Sequence, residues 1–243
     1  MPDAPCALIV DDDQNTLGDV ALRLLRLRID LFYAKGSVEA WLLAKQEADR
    51  IRALLFPATV DIDEIKPIVE CLDSVKPEID HVLIVMGDRP DDATRERLRA
   101  GGVERALWEP FDESALRSLV SDSMVCRDAI VGERKDVRLP TTLLGRAFIG
   151  AKRKDAIVST LSMGGAFLEI PSPFPEGSQM SLEIALPDGS VNVRAQVVNT
   201  RYPGCDVAPQ QPCGMGVEFL NLAGADEERV RAFLKEIGDR FCV

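Results

Sequence analysis

The sequence has a single histidine, His81, among its 243 residues. Its six cysteines are scattered, and no two of them have the C-x-x-C spacing of a typical zinc or redox motif. Zinc sites and Ser-His-Asp or Cys-His catalytic groups need clusters of such side chains. We therefore expect neither a metal site nor an enzyme of these classes, and we expect reduced thiols.

Long hydrophobic runs are also lacking. The longest, such as Val82–Met86, are far shorter than the roughly 20 residues needed to cross a bilayer. Asp11, Asp12 and Asp13 interrupt the first apolar run, so no signal peptide is expected. With 46% hydrophobic and 28% charged residues, the chain has the composition of a globular protein, and its length predicts two domains. These features favour the cytoplasm and exclude an integral membrane segment.

The net charge of −11 is unevenly distributed. Residues 1–125 carry 25 acidic and 15 basic side chains, whereas residues 126–243 carry 15 and 14. Within the second half, residues 127–154 form a local basic segment with eight basic and three acidic side chains. This segment suits a small anionic ligand better than DNA, which the acidic half would repel. The alternative is a solvated linker and hairpin that are basic without a ligand.

Residues 5–122 alternate short apolar runs with amphipathic segments. The segment 15–27, for example, places Leu17, Val20, Ala21 and Leu24 at helical spacing. Five such repeats predict a doubly wound, five-stranded parallel sheet with its functional edge at the carboxyl ends of the strands. The predicted strands are 6–10, 30–34, 53–56, 82–86 and 105–108, and the predicted helices are 15–27, 38–48, 62–72, 93–100 and 114–120.

Two stretches of this half, Leu8–Asp13 and Leu107–Phe111, resemble the first strand and the fifth-strand turn of response-regulator receiver domains. The family's phosphorylation chemistry needs acidic residues for Mg²⁺, an aspartate after strand three, a hydroxyl after strand four and a lysine after strand five. Asp11 and Asp12 supply the acids, but the other positions hold Phe56 (or Pro57), Met86 and Glu109.

The resemblance therefore implies a degenerate receiver that phosphorylation does not control. We call Asp11, Asp12, Phe56, Met86 and Glu109 the vestigial receiver pocket. Its three acids either bind a cation or lie at the solvated rim of the pocket without a ligand. We favour the second alternative and expect no metal. By the same resemblance Glu109–Pro110 is expected to be a cis peptide.

Receiver domains commonly bind protein partners through helix four, strand five and helix five, which here correspond to residues 95–100, 104–108 and 112–120. A protein partner is therefore expected on the receiver-like domain, through this face or another. Trp108 is either an anchor of that interface or a core residue.

The second half has six strand-like runs separated by Gly- and Pro-containing turns, which predicts a small antiparallel β-barrel. A helix over 226–238 follows, and its apolar Val230, Phe233, Leu234 and Ile237 recur at helical spacing. This helix is expected to cap the barrel. The predicted strands are 141–149, 156–160, 166–169, 179–185, 191–200 and 215–220.

Two motifs flank the start of this barrel. Arg134 and Arg138 stand four residues apart, and the turn Thr160–Gly165 follows 22 residues after the second arginine. Together they resemble the R-x-x-x-R and [D/N]-x-S-x-x-G signature of PilZ domains, which implies a receptor for the bacterial second messenger cyclic di-GMP. Thr160 departs from the pattern, because the family has Asp or Asn there. The ligand residues carried over from the motifs are Arg134, Arg138, Thr160, Ser162, Gly164 and Gly165.

The chemistry of these residues suits the implied ligand. Arginine presents a planar fork of donors that matches both a phosphate and the O6/N7 edge of guanine. A serine hydroxyl and backbone N–H groups can complete a phosphate site, and glycines allow close approach or positive φ. Thr160 offers guanine a shorter acceptor than asparagine or aspartate would.

The sequence thus predicts a receiver-like domain over 1–123, a linker and arginine arm over 124–138, and a PilZ-like barrel over 139–243. The function expected is a non-enzymatic signalling adaptor that binds cyclic di-GMP and docks a protein partner, in the regulation of motility or surface behaviour. The alternative is a scaffold in which neither pocket binds a ligand.

Overall fold

The computed structural model describes residues 4–12, 14–79, 81–124, 138–202 and 212–243. The chain forms two compact units, of which the first comprises Met1–Ala129 with Arg240–Val243 and the second Ile130–Asp239. None of the helices in the described ranges is long and apolar enough to span a membrane.

The first unit contains the five-stranded parallel sheet that the apolar runs predict. Its strand order is β2-β1-β3-β4-β5, the order of receiver domains and other doubly wound folds. The central strands β1 and β3 are almost wholly buried, because helices cover both faces of a parallel sheet. The strands are β1 (Cys6–Asp11), β2 (Leu31–Lys35), β3 (Ile51–Pro57), β4 (Val82–Gly87) and β5 (Arg105–Trp108).

Five helices alternate with these strands, as predicted. In α1 the buried Val20, Ala21 and Leu24 face the sheet, but the helix begins at Gly18 rather than at Asn15. Asp61 accepts a hydrogen bond from the Asp63 N–H in the first turn of α3, and Asp91 accepts one from the Thr94 N–H in the first turn of α4, which sets where those helices begin. The helices are α1 (Gly18–Arg26), α2 (Ser37–Glu47), α3 (Ile62–Val75), α4 (Asp92–Ala100) and α5 (Glu113–Met124).

The second unit is a closed, six-stranded antiparallel barrel, which confirms the second fold prediction. The strand order around the barrel is β10-β11-β8-β7-β6-β9. Alternate residues point inward, as in β9, where Met180, Leu182, Ile184 and Leu186 are buried. The strands are β6 (Leu139–Ile149), β7 (Lys152–Leu161), β8 (Gly165–Glu169), β9 (Gln179–Leu186), β10 (Gly189–Arg201) and β11 (Gly214–Asn221).

A final helix, α6 (Gly224–Gly238), packs against the barrel core as predicted. Val230 belongs to the barrel's buried cluster, and Phe233 and Leu234 pack against it. The helix is longer than predicted by two residues at its start.

The last four residues, Arg240–Val243, belong to the first unit rather than to the barrel. Cys242 forms an antiparallel bridge with Arg105 on the outer edge of β5. The sequence pattern did not predict this pairing.

Candidate functional site

The turn between β7 and β8 contains the second motif. Ser162 is buried, and both its backbone N–H and its hydroxyl donate to the carbonyl oxygen of Gly165, at 2.8 and 3.2 Å. The serine therefore closes the turn. A phosphate can accept from this hydroxyl only if the internal hydrogen bond breaks.

Gly165 is needed for close packing between strands. A Cβ at this position would lie 2.2 Å from the carbonyl oxygen of Val217 on β11, and a backbone atom cannot move aside as a side chain can. Gly164 accepts a hydrogen bond from the N–H of Phe219, at 2.9 Å. Neither Gly164 nor Gly165 is among the described glycines with positive φ, so close approach, not a left-handed backbone, explains Gly165.

Strand register brings Arg138, the last residue of the first motif, to the same end of the barrel as the second motif. Leu139 pairs with Leu161, and Pro140 pairs with Thr160. Arg138 directly precedes Leu139, so its backbone lies beside the turn that begins at Ser162. Arg134 lies outside the described residues.

Thr160 pairs with an aromatic residue whose ring contacts an arginine side chain. Its partner on β8 is Phe167, and the guanidinium carbon of Arg201 lies 5.0 Å from the centre of that ring. Phe167 is buried but is not part of the barrel's core cluster, unlike its neighbours Ala166 and Leu168. A guanidinium therefore lies over the ring of the residue that pairs with Thr160.

Sequence reasoning missed Arg201. It lies 41 positions from Thr160, with β11 and β8 between their strands, and its contact with the Phe167 ring on β8 is what connects it to the partner of Thr160. No local motif marks this arginine.

The residues that the sequence assigns to a vestigial receiver pocket lie at the carboxyl ends of the parallel strands. Asp11 is fully buried and accepts hydrogen bonds from the N–H groups of Asp12 and Leu17, both at 2.9 Å, and from the Tyr33 hydroxyl. Burial, this hydrogen bond and the nearby negative charges raise the pKa of Tyr33, so the tyrosine remains a donor. The buried carboxylate is thus satisfied by the protein's own donors.

The Asp12 side chain also accepts hydrogen bonds from donors within the protein. It accepts hydrogen bonds from the hydroxyls of Thr16 and Thr59, at 2.8 and 2.9 Å. Although burial opposes the charged form, these hydroxyls and the N–H groups of Gln14 and Thr16 together hold the pKa of Asp12 below its ordinary 3.8. Hydroxyl donors therefore stabilise this carboxylate where the receiver family uses a cation.

The remaining positions assigned to this pocket hold two apolar side chains and one acid. Phe56 and Met86 are fully buried apolar side chains, and Glu109 is exposed. The Glu109–Pro110 peptide is cis, as predicted. Within the described ranges, no group of three or more His, Cys, Asp or Glu side chains is arranged to hold a metal ion.

Trp108 is a core residue rather than an exposed anchor. It is 5% exposed and belongs to the cluster between the sheet and helices α2, α3 and α4. Its indole N–H donates to the carbonyl oxygen of Cys242, at 3.3 Å.

The PilZ domain family model matches residues 133–236 of this chain. These residues are a PilZ domain. The match covers both motifs, the six barrel strands and most of α6. Among curated proteins, no sequence matches the chain.

Solved structures with similar folds fall into two groups. For the PilZ half, the chain is similar to the Bacillus subtilis inhibitor of motility MotI/DgrA (16% identity, 45% of this chain and 53% of that chain, TM-score 0.38) and to YcgR from Escherichia coli in complex with c-di-GMP (16%, 45% and 47%, 0.37). For the first half, it is similar to a response regulator receiver protein from Pseudomonas putida (24%, 50% and 99%, 0.42). The chain spans about half the length of the two PilZ-containing structures.

Proposed function

We propose that the PilZ domain binds cyclic di-GMP and that the protein is a non-enzymatic signalling adaptor. The observation that carries this proposal is the strand register that sets Arg138 beside the turn at 160–165. Both PilZ motifs then act on one ligand, with Arg134 and Arg138 holding a phosphate or a guanine edge. Gly164 and Gly165 shape the turn, and Ser162 joins the phosphate site when its bond to Gly165 opens.

Arg201 is part of this proposal. A guanine base stacked near Phe167 would meet a guanidinium that already lies over an aromatic ring, and arginine both stacks on bases and binds their O6/N7 edge. Arg201 thereby offsets some of the binding lost when the family's Asp or Asn is replaced by Thr160.

The receiver-like half acts as a docking module for a protein partner and is not phosphorylated. Two features support this. The position of the phosphoacceptor aspartate holds Phe56, which is buried, and the two remaining pocket acids are occupied by the protein's own donors. Ligand binding by the PilZ domain would alter how the partner engages, in the regulation of motility or surface behaviour.

Isothermal titration of the full chain with cyclic di-GMP tests the ligand. Arg138→Ala should weaken binding by roughly 10- to 100-fold, since a charge-assisted hydrogen bond contributes about 1.5–3 kcal/mol. Arg146→Ala is the matched control, because Arg146 lies on β6, the strand that Arg138 directly precedes, is half exposed and pairs with Glu183 at 3.5 Å. Equal affinity of the two variants would refute the assignment of Arg138.

A ligand-independent scaffold is the second candidate. It is favoured by the Ser162 hydroxyl, which is already bonded within its turn, and by Thr160, which lacks the reach of asparagine. No heat and no thermal shift at about 100 µM ligand would select this candidate, since it bounds the dissociation constant above the micromolar range.

A further inference from the structure

The outer edge of β5 is covered by the end of the same chain. β5 is the last strand of the parallel sheet, and no other named strand pairs with that edge. The Ala106 N–H donates to the carbonyl oxygen of Phe241, at 3.0 Å, and the Val243 N–H donates to that of Glu104, at 3.4 Å. Residues 240–243, which we call the tail, thus form a short antiparallel addition to the sheet, within the first unit.

The tail is anchored by side chains on both faces of the sheet. Val243 is 5% exposed and joins the core cluster that contains Trp108. Phe241 packs against the cluster formed with α1 and α5. Arg99 donates from Nε to the Val243 carbonyl oxygen, at 2.5 Å, so α4 also holds the tail. Side chains two positions apart on a regular strand share one face, so the tail departs from regular strand geometry between Phe241 and Val243. The edge therefore accepts a segment whose aromatic and aliphatic side chains, two positions apart, pack on opposite faces of the sheet.

The attachment is short. The third main-chain bond, from the Trp108 N–H to the Arg240 carbonyl oxygen, is 3.5 Å long, at the limit of a hydrogen bond. Segments with few buried contacts and few backbone bonds open at a low free-energy cost compared with core strands. Once the tail leaves, β5 presents unpaired N–H and C=O groups, and the apolar surfaces that Phe241 and Val243 covered become exposed. An unpaired strand edge of this kind can pair with another strand.

We propose that the β5 edge is a docking site for an extended peptide segment of a protein partner, and that the tail occupies this site in cis. A partner segment with the Phe-x-Val pattern of the tail would add to β5 by strand addition, and it must displace the tail first. The proposal does not depend on ligand binding by the PilZ domain.

A disulfide can test the placement of the tail. Arg105 and Cys242 are the non-hydrogen-bonded pair of the bridge, in which Cα atoms lie about 4.5 Å apart, within the range that disulfides span. Mild oxidation of Arg105→Cys should therefore link positions 105 and 242, as detected by peptide mapping. Glu104→Cys is the control, since its side chain points to the opposite face and should not link. Failure of the 105–242 bond to form would overturn the proposal.

Competition tests the docking site itself. The probe is a synthetic peptide of residues 237–243 with serine in place of Cys242, added to about 2 mM, the range of effective concentrations that a tether supplies. Binding is read in ¹⁵N spectra of the full chain from the Ala106 amide and the Trp108 indole. Val243→Asp, which detaches the tail, should bind the peptide at least about tenfold more tightly than the parent, and the oxidised Arg105→Cys chain should not bind it.

Phe241→Ser is a second detaching variant, which keeps the test valid if Val243→Asp does not fold, as judged by circular dichroism. No peptide shifts in a folded, detached variant would refute the docking site. Equal binding by the locked and detached chains would refute the displacement step. A concentration-dependent dimer of the parent chain, lost in Phe241→Ser, would place the tail of a second copy at the edge and overturn the cis assignment.

Discussion

Thr160 is the one position at which the second motif departs from its family, and restoring asparagine there has a predictable effect. Thr160 lies on β7 between Pro140 and Phe167 and is partly exposed, so Thr160→Asn removes no core contact. The loss of strand propensity costs at most about 1 kcal/mol of stability. The barrel should therefore remain folded.

The gain in binding comes from guanine. An asparagine side-chain oxygen can accept from guanine N1–H and N2–H, and a good base-reading pair contributes about 1–3 kcal/mol. This corresponds to a roughly 5- to 150-fold lower dissociation constant for cyclic di-GMP. Titration calorimetry on the full chain measures it.

The isosteric variant Thr160→Val provides the control, because it removes the hydroxyl and keeps the shape. If the hydroxyl contacts guanine, Thr160→Val should bind more weakly than the parent. If Thr160→Asn creates binding that the parent lacks, the parent pocket is vestigial and the scaffold function stands. An unchanged dissociation constant in folded Thr160→Asn would refute a guanine contact at this position.

Three further predictions concern stability. Gly165→Ala should lower the free energy of unfolding, measured in urea, by about 1–3 kcal/mol, because its Cβ would meet a backbone oxygen. Gly145→Ala should lower that free energy by less, because its Cβ would meet a movable Val158 methyl at 2.9 Å. Tyr33→Phe should cost about 1.5–3 kcal/mol by urea unfolding, since the buried Asp11 carboxylate loses a donor, and no change would contradict that hydrogen bond. Because the folded pKa of Asp12 is lowered, its stabilising contribution is present above about pH 4 and is lost as pH falls through the folded pKa. Thr59→Val should raise that pKa in a ¹³C carboxyl titration, and an unchanged value would contradict the Thr59 bond.

Much of the fold follows from local pattern. The alternation in β9 and the helical spacing of Val230, Phe233 and Leu234 are properties of neighbouring residues, so both could be predicted without coordinates. Strand ends were less certain. The strand predicted to start at residue 156 is β7, which begins at Lys152. It begins earlier because Lys152 pairs with Ile149, which extends the hairpin beyond its apolar residues.

The candidate site was only partly accessible to sequence reasoning. The two motifs identify Arg138 and the turn at 160–165, because a family signature is a matter of residue order. The signature does not reveal that the Ser162 hydroxyl is already bonded to Gly165, since that depends on the backbone of the turn. The role of Gly165 depends on the distance to Val217, which comes 52 residues later in the chain.

The sequence by itself determined the two fold classes and the presence of the PilZ motifs, and it predicted the loss of receiver chemistry from Phe56, Met86 and Glu109, because each is recorded in residue type and spacing. The tertiary structure alone decided that hydroxyls of Thr16, Thr59 and Tyr33 donate to Asp11 and Asp12, that Arg201 lies over the ring of Phe167, and that the tail covers β5. Such contacts join residues far apart in the chain, and only the order and register of the strands set which of them meet.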